Sequence, residues 1–257
     1  VLDTGCWKDR RRKPGDGSPE TEEKRQKEKD KSKQLKSKEM RSYIYKIAVV
    51  LAVVLLAADQ ASFAQEQAAP KGSTKLFNGK NLNNWVFHLR DASADPAKVF
   101  TIKDGVINIG GDPFGYMRTK KKYSDYKLHV EWRWPLEATN SGVFVHAQPP
   151  DTIWLKCIEC QLSAGNAGDF VCMNGADINE RTNKSSRVVR KMSPSNEKPV
   201  GQWNTMEVTC SGNTIEVYVN GTMQNKATGS NISSGHICLQ SEGKDIQFRN
   251  VYITKLK

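Results

Sequence analysis

The sequence predicts an all-β protein, a sandwich or jelly roll, and three observations predict it. From Lys75 onward, short apolar or alternating runs follow one another: VFTIKDGVINIGG, YKLHVEWRW, GVFVHAQ, LKCIECQL, WNTMEVTC, NTIEVYVNG, HICLQSEG and IQFRNVYITKL. Between them stand residues that tolerate the left-handed backbone of tight hairpins, in Lys103-Asp104-Gly105, Ser211-Gly212-Asn213 and Asn220-Gly221. The same region has no long segment of 3.6-residue period. Many short strands at hairpin spacing fit two packed antiparallel sheets.

The chain opens differently. Residues 1–39 are dense in Lys, Arg, Glu and Asp, with little to bury, and disorder is expected there. Residues 40–64 read as a secretory signal peptide: Met40, basic Arg41 and Lys46, an uncharged run from Ile47 to Ala58, then Ser62-Phe63-Ala64 as a small-x-small cleavage site. That run is short for a bilayer core of ~30 Å. A signal peptide acts from the N-terminus, so translation is expected to begin at Met40, with residues 1–39 an over-extended start. A basic cytoplasmic tail on an uncleaved anchor, or a nucleic-acid arm, is the competing reading. The expected destination is the bacterial periplasm, without stable membrane insertion after cleavage. Residues 65–74 read as a linker, and residues 75–257 as the jelly-roll domain.

The formal charge of +11 falls to +6 when residues 1–64 are set aside. What remains is interspersed, and Lys120-Lys121-Lys122 reads as a solvated turn, so nothing points to nucleic acid. The 193 residues after Ala64 suffice for one domain with a sizeable core. Gly165 to Gly201, polar and weakly periodic, is expected to form long loops over one end of the sheets.

Strand parity carries the functional signal. Leu128, Val130, Trp132 and Trp134 share one face, opposite His129, Glu131 and Arg133. Val143, Val145 and Ala147 oppose Phe144, His146 and Gln148. Ile158, Cys160 and Leu162 oppose Cys157, Glu159 and Gln161, and Ile237 and Leu239 oppose Gln240 and Glu242. Half-solvated antiparallel strands also alternate in this way, but their outer faces usually carry Lys, Thr and Ser. Outer faces holding His, Glu, Arg and Gln near aromatics fit a curved sheet lining a polar groove.

Several phrases together resemble the 3-keto-disaccharide hydrolase family. They are Lys75-Leu-Phe-Asn-Gly-Lys-Asn-Leu-Asn-Asn-Trp85, Glu131-Trp-Arg133, Asn140-Ser-Gly-Val-Phe144 and Glu159-Cys-Gln161. Toward the end come Gly201-Gln-Trp-Asn204, Val219-Asn-Gly221, Leu239-Gln240 and Phe248-Arg-Asn-Val251. The resemblance runs from about Lys75 to Leu256 with every motif in order. It implies a concanavalin A-like jelly roll of two antiparallel sheets and a secreted enzyme acting on glycosides oxidised at C3. A ketone at C3 acidifies the C2 hydrogen, so a base removes it, the C1 substituent leaves, and water adds across the 3-keto-2-hydroxy-glucal. Such lyase and hydratase chemistry needs a base, a proton donor and groups that hold enolate charge.

On that basis Glu131 or Glu159 is expected as base, with His146 as proton shuttle or metal ligand. Arg133, Gln161, Gln240 and Glu242 are expected to hold hydroxyls or the enolate, and Asn140 to orient the groove's edge. A conventional glycosidase with paired carboxylates is an alternative. So is a lectin-like binding module stacking sugars on Trp85, Trp154 or Trp203. His88, His129, His146 and His236 show no zinc spacing, so no cofactor is required, although a divalent ion held by carboxylates and His146 stays open. Of five cysteines after Ala64, Cys160, Cys210 and Cys238 read as small buried hydrophobes, and a Cys157–Cys172 disulfide is conceivable. Cys157 and Cys160 lie three apart in a strand, on opposite faces, and cannot bridge one another.

Overall fold

The protein was analysed as a computed structural model, which describes the backbone of residues 19–63 and 69–256 and the side chains of residues 23–47 and 69–256. It divides into two units, Val1–Glu66 and Gln67–Lys257. In the first, α1 (Pro19–Phe63) is one continuous helix. This corrects the expectation of disorder over residues 19–39. After Pro19 that segment has neither Gly nor Pro and is built of Glu, Lys, Gln and Arg, which lose little freedom in a helix. Lys27 pairs with Glu23 one turn earlier, at 2.5 Å. Its side chains from Glu23 to Ile47 are exposed. The remaining part of the charged extension, the proposed cleavage point after Ala64 and the first residues of the linker lie outside the described residues. No described helix is long and apolar enough to cross a membrane.

The second unit is the sandwich. Its strands are β1 (Thr74–Lys75), β2 (Trp85–Leu89), β3 (Phe100–Lys103), β4 (Val106–Ile109), β5 (Gly115–Thr119), β6 (Tyr126–Arg133), β7 (Gly142–Ala147) and β8 (Cys157–Gln161). They continue as β9 (Phe170–Met173), β10 (Val188–Val189), β11 (Asn204–Ser211), β12 (Thr214–Val219), β13 (Thr222–Ala227), β14 (His236–Ser241) and β15 (Ile246–Lys255). A single turn of helix, α2 (Pro96–Val99), precedes β3 and is capped by the Asp95 carboxylate. One sheet has eight strands in the order β13-β12-β11-β6-β15-β4-β3, with β1 paired to β15; the other has seven, β10-β9-β8-β7-β14-β5-β2. Successive strands cross between sheets, β5 to β6 to β7 and again β13 to β14 to β15, as a jelly roll requires.

The alternation read from the sequence packs as one core. Leu128, Val130 and Trp132 of β6 meet Val143 and Val145 of β7, Ile158 and Cys160 of β8, and Ile237 and Leu239 of β14 between the sheets. A smaller apolar cluster holds Tyr116, Phe144, Ala147, Leu155, Cys157, Val171, Met173 and Cys238 on the opposite, outward face of the seven-stranded sheet. That second layer matters, because an outward face needs apolar packing only if something covers it or curves over it.

Two expectations fail here. The polar residues of β6 do not share a face with those of β7, β8 and β14, since β6 lies at the centre of the eight-stranded sheet. Parity says which side of a strand is inward, but not which sheet the strand joins. Glu131 and Arg133 therefore point outward on the far side of a sandwich whose sheets pack about 10 Å apart. Ala147 and His146 exchange sides, because β7 departs from regular strand at His146, where φ is +54° and the pairing with β14 slips. Ala147 joins the outward cluster, and His146 is fully buried, with Nδ1 3.2 Å from the Ile232 carbonyl and its ring edge-on to Tyr126.

All five cysteines of the sandwich are free and buried. The Cys157–Cys172 disulfide does not form: Cys157 pairs with Met173 across β8 and β9 while Cys172 pairs with Ile158, which puts the two thiols on opposite faces. The opposite-face reading of Cys157 and Cys160 holds.

Candidate functional site

The outward face of the seven-stranded sheet collects the groups that chemistry needs. Glu159 leaves the middle of β8, paired with Phe144 on β7 and Val171 on β9. It is 4% exposed. Its carboxyl lies back over Gly142, where an added Cβ would overlap it. Glycine at position 142 is thus what leaves room for the acid. Burial is the main force on the Glu159 carboxyl and pushes it up to about 8; the nearby Glu242 carboxylate adds to the shift and Arg187 opposes it. Glu242, just beyond β14, is also raised by burial, while the amides of Asn140 and Gln240 and the guanidiniums of Arg187 and Arg90 favour its ionised form. Near neutrality Glu159 carries the proton.

The wall above them is aromatic and cationic. Phe114 and Trp154 tilt against each other with ring centroids 5.0 Å apart. Arg90 lies over Phe114 at 4.8 Å, and Arg187 over Trp154 at 5.4 Å. The segment carrying Trp154 is fastened to the sheet floor. Asp151 accepts two hydrogen bonds from Arg118 of β5, both 2.7 Å, and the Tyr116 hydroxyl donates to the Thr152 carbonyl at 3.1 Å. The Arg118 guanidinium is the first cause that holds the Asp151 carboxyl below its usual range. His88 of β2 stands beside the Tyr116 ring, 5.3 Å between centroids.

Of the residues expected from sequence, this face brings together Glu159, Glu242, Asn140, Gln240, Gln161 and Trp154. Gln161 is partly committed, since its Oε1 accepts from the backbone of Leu162 and Ser163 at 3.0 Å each. The amide oxygens of Asn140 and Gln240 are buried without a hydrogen-bond partner among the described residues.

Glu131, Arg133 and His146 are elsewhere. Glu131 accepts from Arg249 at 2.6 Å and from Asn250 at 2.8 Å, and so closes the bulge of β15. Burial alone would raise the Glu131 carboxyl, but the His129 ring 3.7 Å away and hydrogen bonds from Asn250 and Arg249 outweigh it and hold it at about 2. Arg133 bonds Gln247 at 2.6 Å and, with Arg249, covers the ring of Trp203. His146 lies in the interior, where burial lowers its pKa. Trp85 is core, with its indole donating to the Leu76 carbonyl. Trp154 alone of the three proposed sugar-stacking tryptophans is on the groove. Among the described residues no three His, Cys, Asp or Glu side chains gather to hold a metal ion. The ion envisaged between carboxylates and His146 has lost its imidazole.

The sequence reading missed Arg90, Phe114, Arg118, Asp151 and Arg187. Arg118 and Phe114 were legible in principle, because they share the parity of Tyr116 in the run FGYMRT. Asp151 and Arg187 come from loops, where no periodicity assigns a face.

Comparison with known proteins bears on the family and the fold. Residues 72–254 match the 3-keto-alpha-glucoside-1,2-lyase-like domain. A relative named 3-keto-disaccharide hydrolase, from Bacteroides thetaiotaomicron, is 27% identical over 186 residues, covering 63% of this chain and 60% of that protein. The chain thus spans less than two thirds of that relative's length. A proposed glycosyl hydrolase of known structure from Parabacteroides distasonis ATCC 8503 shares the fold with a TM-score of 0.54 at 22% identity, over 72% of this chain and 99% of the other. The β-glucanase of Bacillus licheniformis does so at a TM-score of 0.51 and 15% identity, over 73% and 100%. A jelly roll with its acid pair on the outward face of one sheet, matched along nearly the whole sandwich, places the chain in the 3-keto-alpha-glucoside-1,2-lyase-like domain family.

Proposed function

We propose that the protein is a carbohydrate-active enzyme that cleaves 3-keto-glycosides at the Glu159–Glu242 pair, by elimination across C1 and C2 followed by hydration. The observation that carries this reading is the acid pair itself: a buried glutamic acid that keeps its proton near neutrality, beside a second carboxyl on which the amides of Asn140 and Gln240 and the guanidiniums of Arg187 and Arg90 oppose the upward push of burial. In the forward direction the Glu242 carboxylate takes the C2 proton, and the electron pair of that bond delocalises onto the C3 ketone oxygen. The charge then returns to form the C1–C2 double bond. The C1–O bond breaks, and Glu159 delivers its proton to the departing oxygen. In the hydration step water gives its hydroxyl to C1 and its proton to Glu159 while Glu242 returns its proton to C2, so both acids are reset and the sum is hydrolysis. The cationic field of Arg187, which acts on both carboxyls, favours the enolate. The unpartnered amide oxygens of Asn140 and Gln240 suit sugar hydroxyl donors. Export of the protein, read from the Ile47–Ala58 run, belongs to the same proposal.

A conventional glycosidase mechanism would use the same two carboxyls, so the test must look at C2. The protein is incubated in D2O with a 3-keto-disaccharide and with the unoxidised disaccharide. Elimination and hydration require cleavage of the keto substrate alone, with deuterium entering C2 of the released sugar faster than in buffer. Equal cleavage of both substrates without deuterium would overturn the proposal in favour of direct hydrolysis.

A further inference from the structure

The four planar groups above the acid pair form a continuous row, Arg90 on Phe114, Phe114 against Trp154, Trp154 under Arg187, with spacings of 4.8, 5.0 and 5.4 Å. We infer that this row is a leaving-group subsite for an anionic residue, a sugar acid or another carboxylate-bearing alcohol joined to the 3-keto sugar; the inference rests on the proposed cleavage at Glu159 and Glu242.

The charge bookkeeping points that way. Arg118, Arg181, Arg190 and Arg249 are each ion-paired with an Asp or Glu. Among the described residues, Arg90 and Arg187 have no carboxylate within ion-pair distance, although both border a face that contains acids. Asp151 is taken up by both arms of Arg118. Glu159 is the deeper carboxyl and burial pushes it towards its neutral form; burial raises Glu242 as well, so at most one carboxylate charge there faces the two guanidiniums. The mouth of the groove is therefore net positive. Both arginines are exposed, each guanidinium lies over a ring, and among the described residues neither makes a side-chain hydrogen bond. Such a fork matches a carboxylate in two parallel bonds.

Position decides which half of the substrate meets the row. Glu159 is buried on the sheet floor, and the bond that breaks must lie against it. Trp154 is 40% exposed, and the arginines beside it are exposed as well, so whatever extends from the reacting carbon towards solvent reaches the row. That part is the departing group. Its apolar ring face would lie on Trp154 while its carboxylate meets Arg90 or Arg187.

Two 3-keto-glucosides that differ only in the leaving group, glucose or glucuronate, test the idea. The wild-type protein should show kcat/KM higher by about tenfold or more for the acid, mostly through KM. That ratio should shrink towards one in Arg90→Gln and at high salt, because the contact is exposed and screened. A wild-type ratio near one with both substrates turned over would overturn the subsite and leave the cleavage reading standing. If neither substrate is cleaved, the cleavage reading fails, and calorimetric titration of the Glu159→Gln protein decides the subsite separately. Glucuronate binding several-fold tighter than glucose, and lost when Arg90→Gln is added, supports it; equal binding overturns it.

Discussion

At the carboxyl of Glu159, burial has a thermodynamic consequence as well as a chemical one. An acid whose folded pKa is raised binds its proton more tightly in the folded state than in the unfolded chain. Between the ordinary value of 4.5 and about 8, rising pH therefore removes stability. Glu159→Gln mimics the protonated form and escapes that loss. Its unfolding free energy should gain on the wild type steadily from about pH 5 to pH 8 and then hold level, by an amount of the order of 4–5 kcal/mol at most, read from denaturant melts across that range. A difference independent of pH would show that Glu159 is not titrating in the fold. Turnover should be lost in the same variant, because no proton reaches the leaving oxygen. Glu131 gives the opposite pattern. Its folded pKa is depressed, so its contribution is present above the ordinary carboxylate value and is lost as pH falls towards about 2. Its partner His129, raised to about 8 by Glu131 and Glu207 against the pull of burial, contributes below about 6.5 and loses that contribution as pH climbs through 8. Glu131→Gln should thus destabilise by about 3 kcal/mol, roughly 6–12 °C in Tm, while keeping kcat near the wild-type value. A collapse of kcat in well-folded Glu131→Gln would restore it as a base and remove Glu242 from that role. Parity found Glu159 and its face in the sequence. It gave Glu131 the same weight, because an outward glutamate looks alike on either sheet.

Among the elements, the 149–156 segment shows how a loop is made to serve a sheet. Arg118 and Tyr116 project from neighbouring turns of β5 and take hold of Asp151 and the Thr152 carbonyl, which fixes the base of Trp154. Arg118→Gln removes the bidentate clamp without touching the acid pair. It is expected to raise KM several-fold through a looser Trp154 wall, with a smaller effect on kcat, and to leave the Glu159-dependent pH profile in place. An unchanged KM would mean that the segment is held by its own packing. Gly142 acts at the same scale on β7. Gly142→Ala would force the Glu159 carboxyl off its seat and should lower kcat by an order of magnitude or more, with little change in the fold. The strands themselves were largely legible, since hairpin residues and period-two runs depend on local sterics. Sheet membership was not, and neither was the slip at His146, because both are settled by partners more than eighty residues distant, as the contact of His146 with Ile232 illustrates. The helical 19–39 segment was misread for a different reason. Low apolar content argues against a core, but Lys/Glu-rich sequence without breakers still favours helix.

At the scale of the molecule, the sandwich contains every strand and both apolar clusters among the described residues, and so has a core of its own. Its two sheets close one interior, and the proposed active face is a second layer laid on the outside of the seven-stranded sheet. A fragment of residues 67–257 should therefore fold with one cooperative transition and retain the turnover of the full chain. That fragment also reports on the cysteines. Cys157, Cys160, Cys210 and Cys238 are 0% exposed and Cys172 is 5% exposed, all without a disulfide. Burial is the first cause that lifts each thiol above its usual range, Cys172 to about 11 and Cys210 to about 12. Neutral thiols shut in a packed interior react slowly, whatever their number. The native fragment should accordingly resist a thiol reagent, take up five equivalents once unfolded, and melt at the same temperature with or without reductant. A reductant-dependent melt would reveal a disulfide the fold does not contain. Rapid labelling of the native fragment would place the Cys157 and Cys238 floor of the groove in contact with solvent, and the apolar layer beneath Glu159, which raises its pKa, could then not be closed.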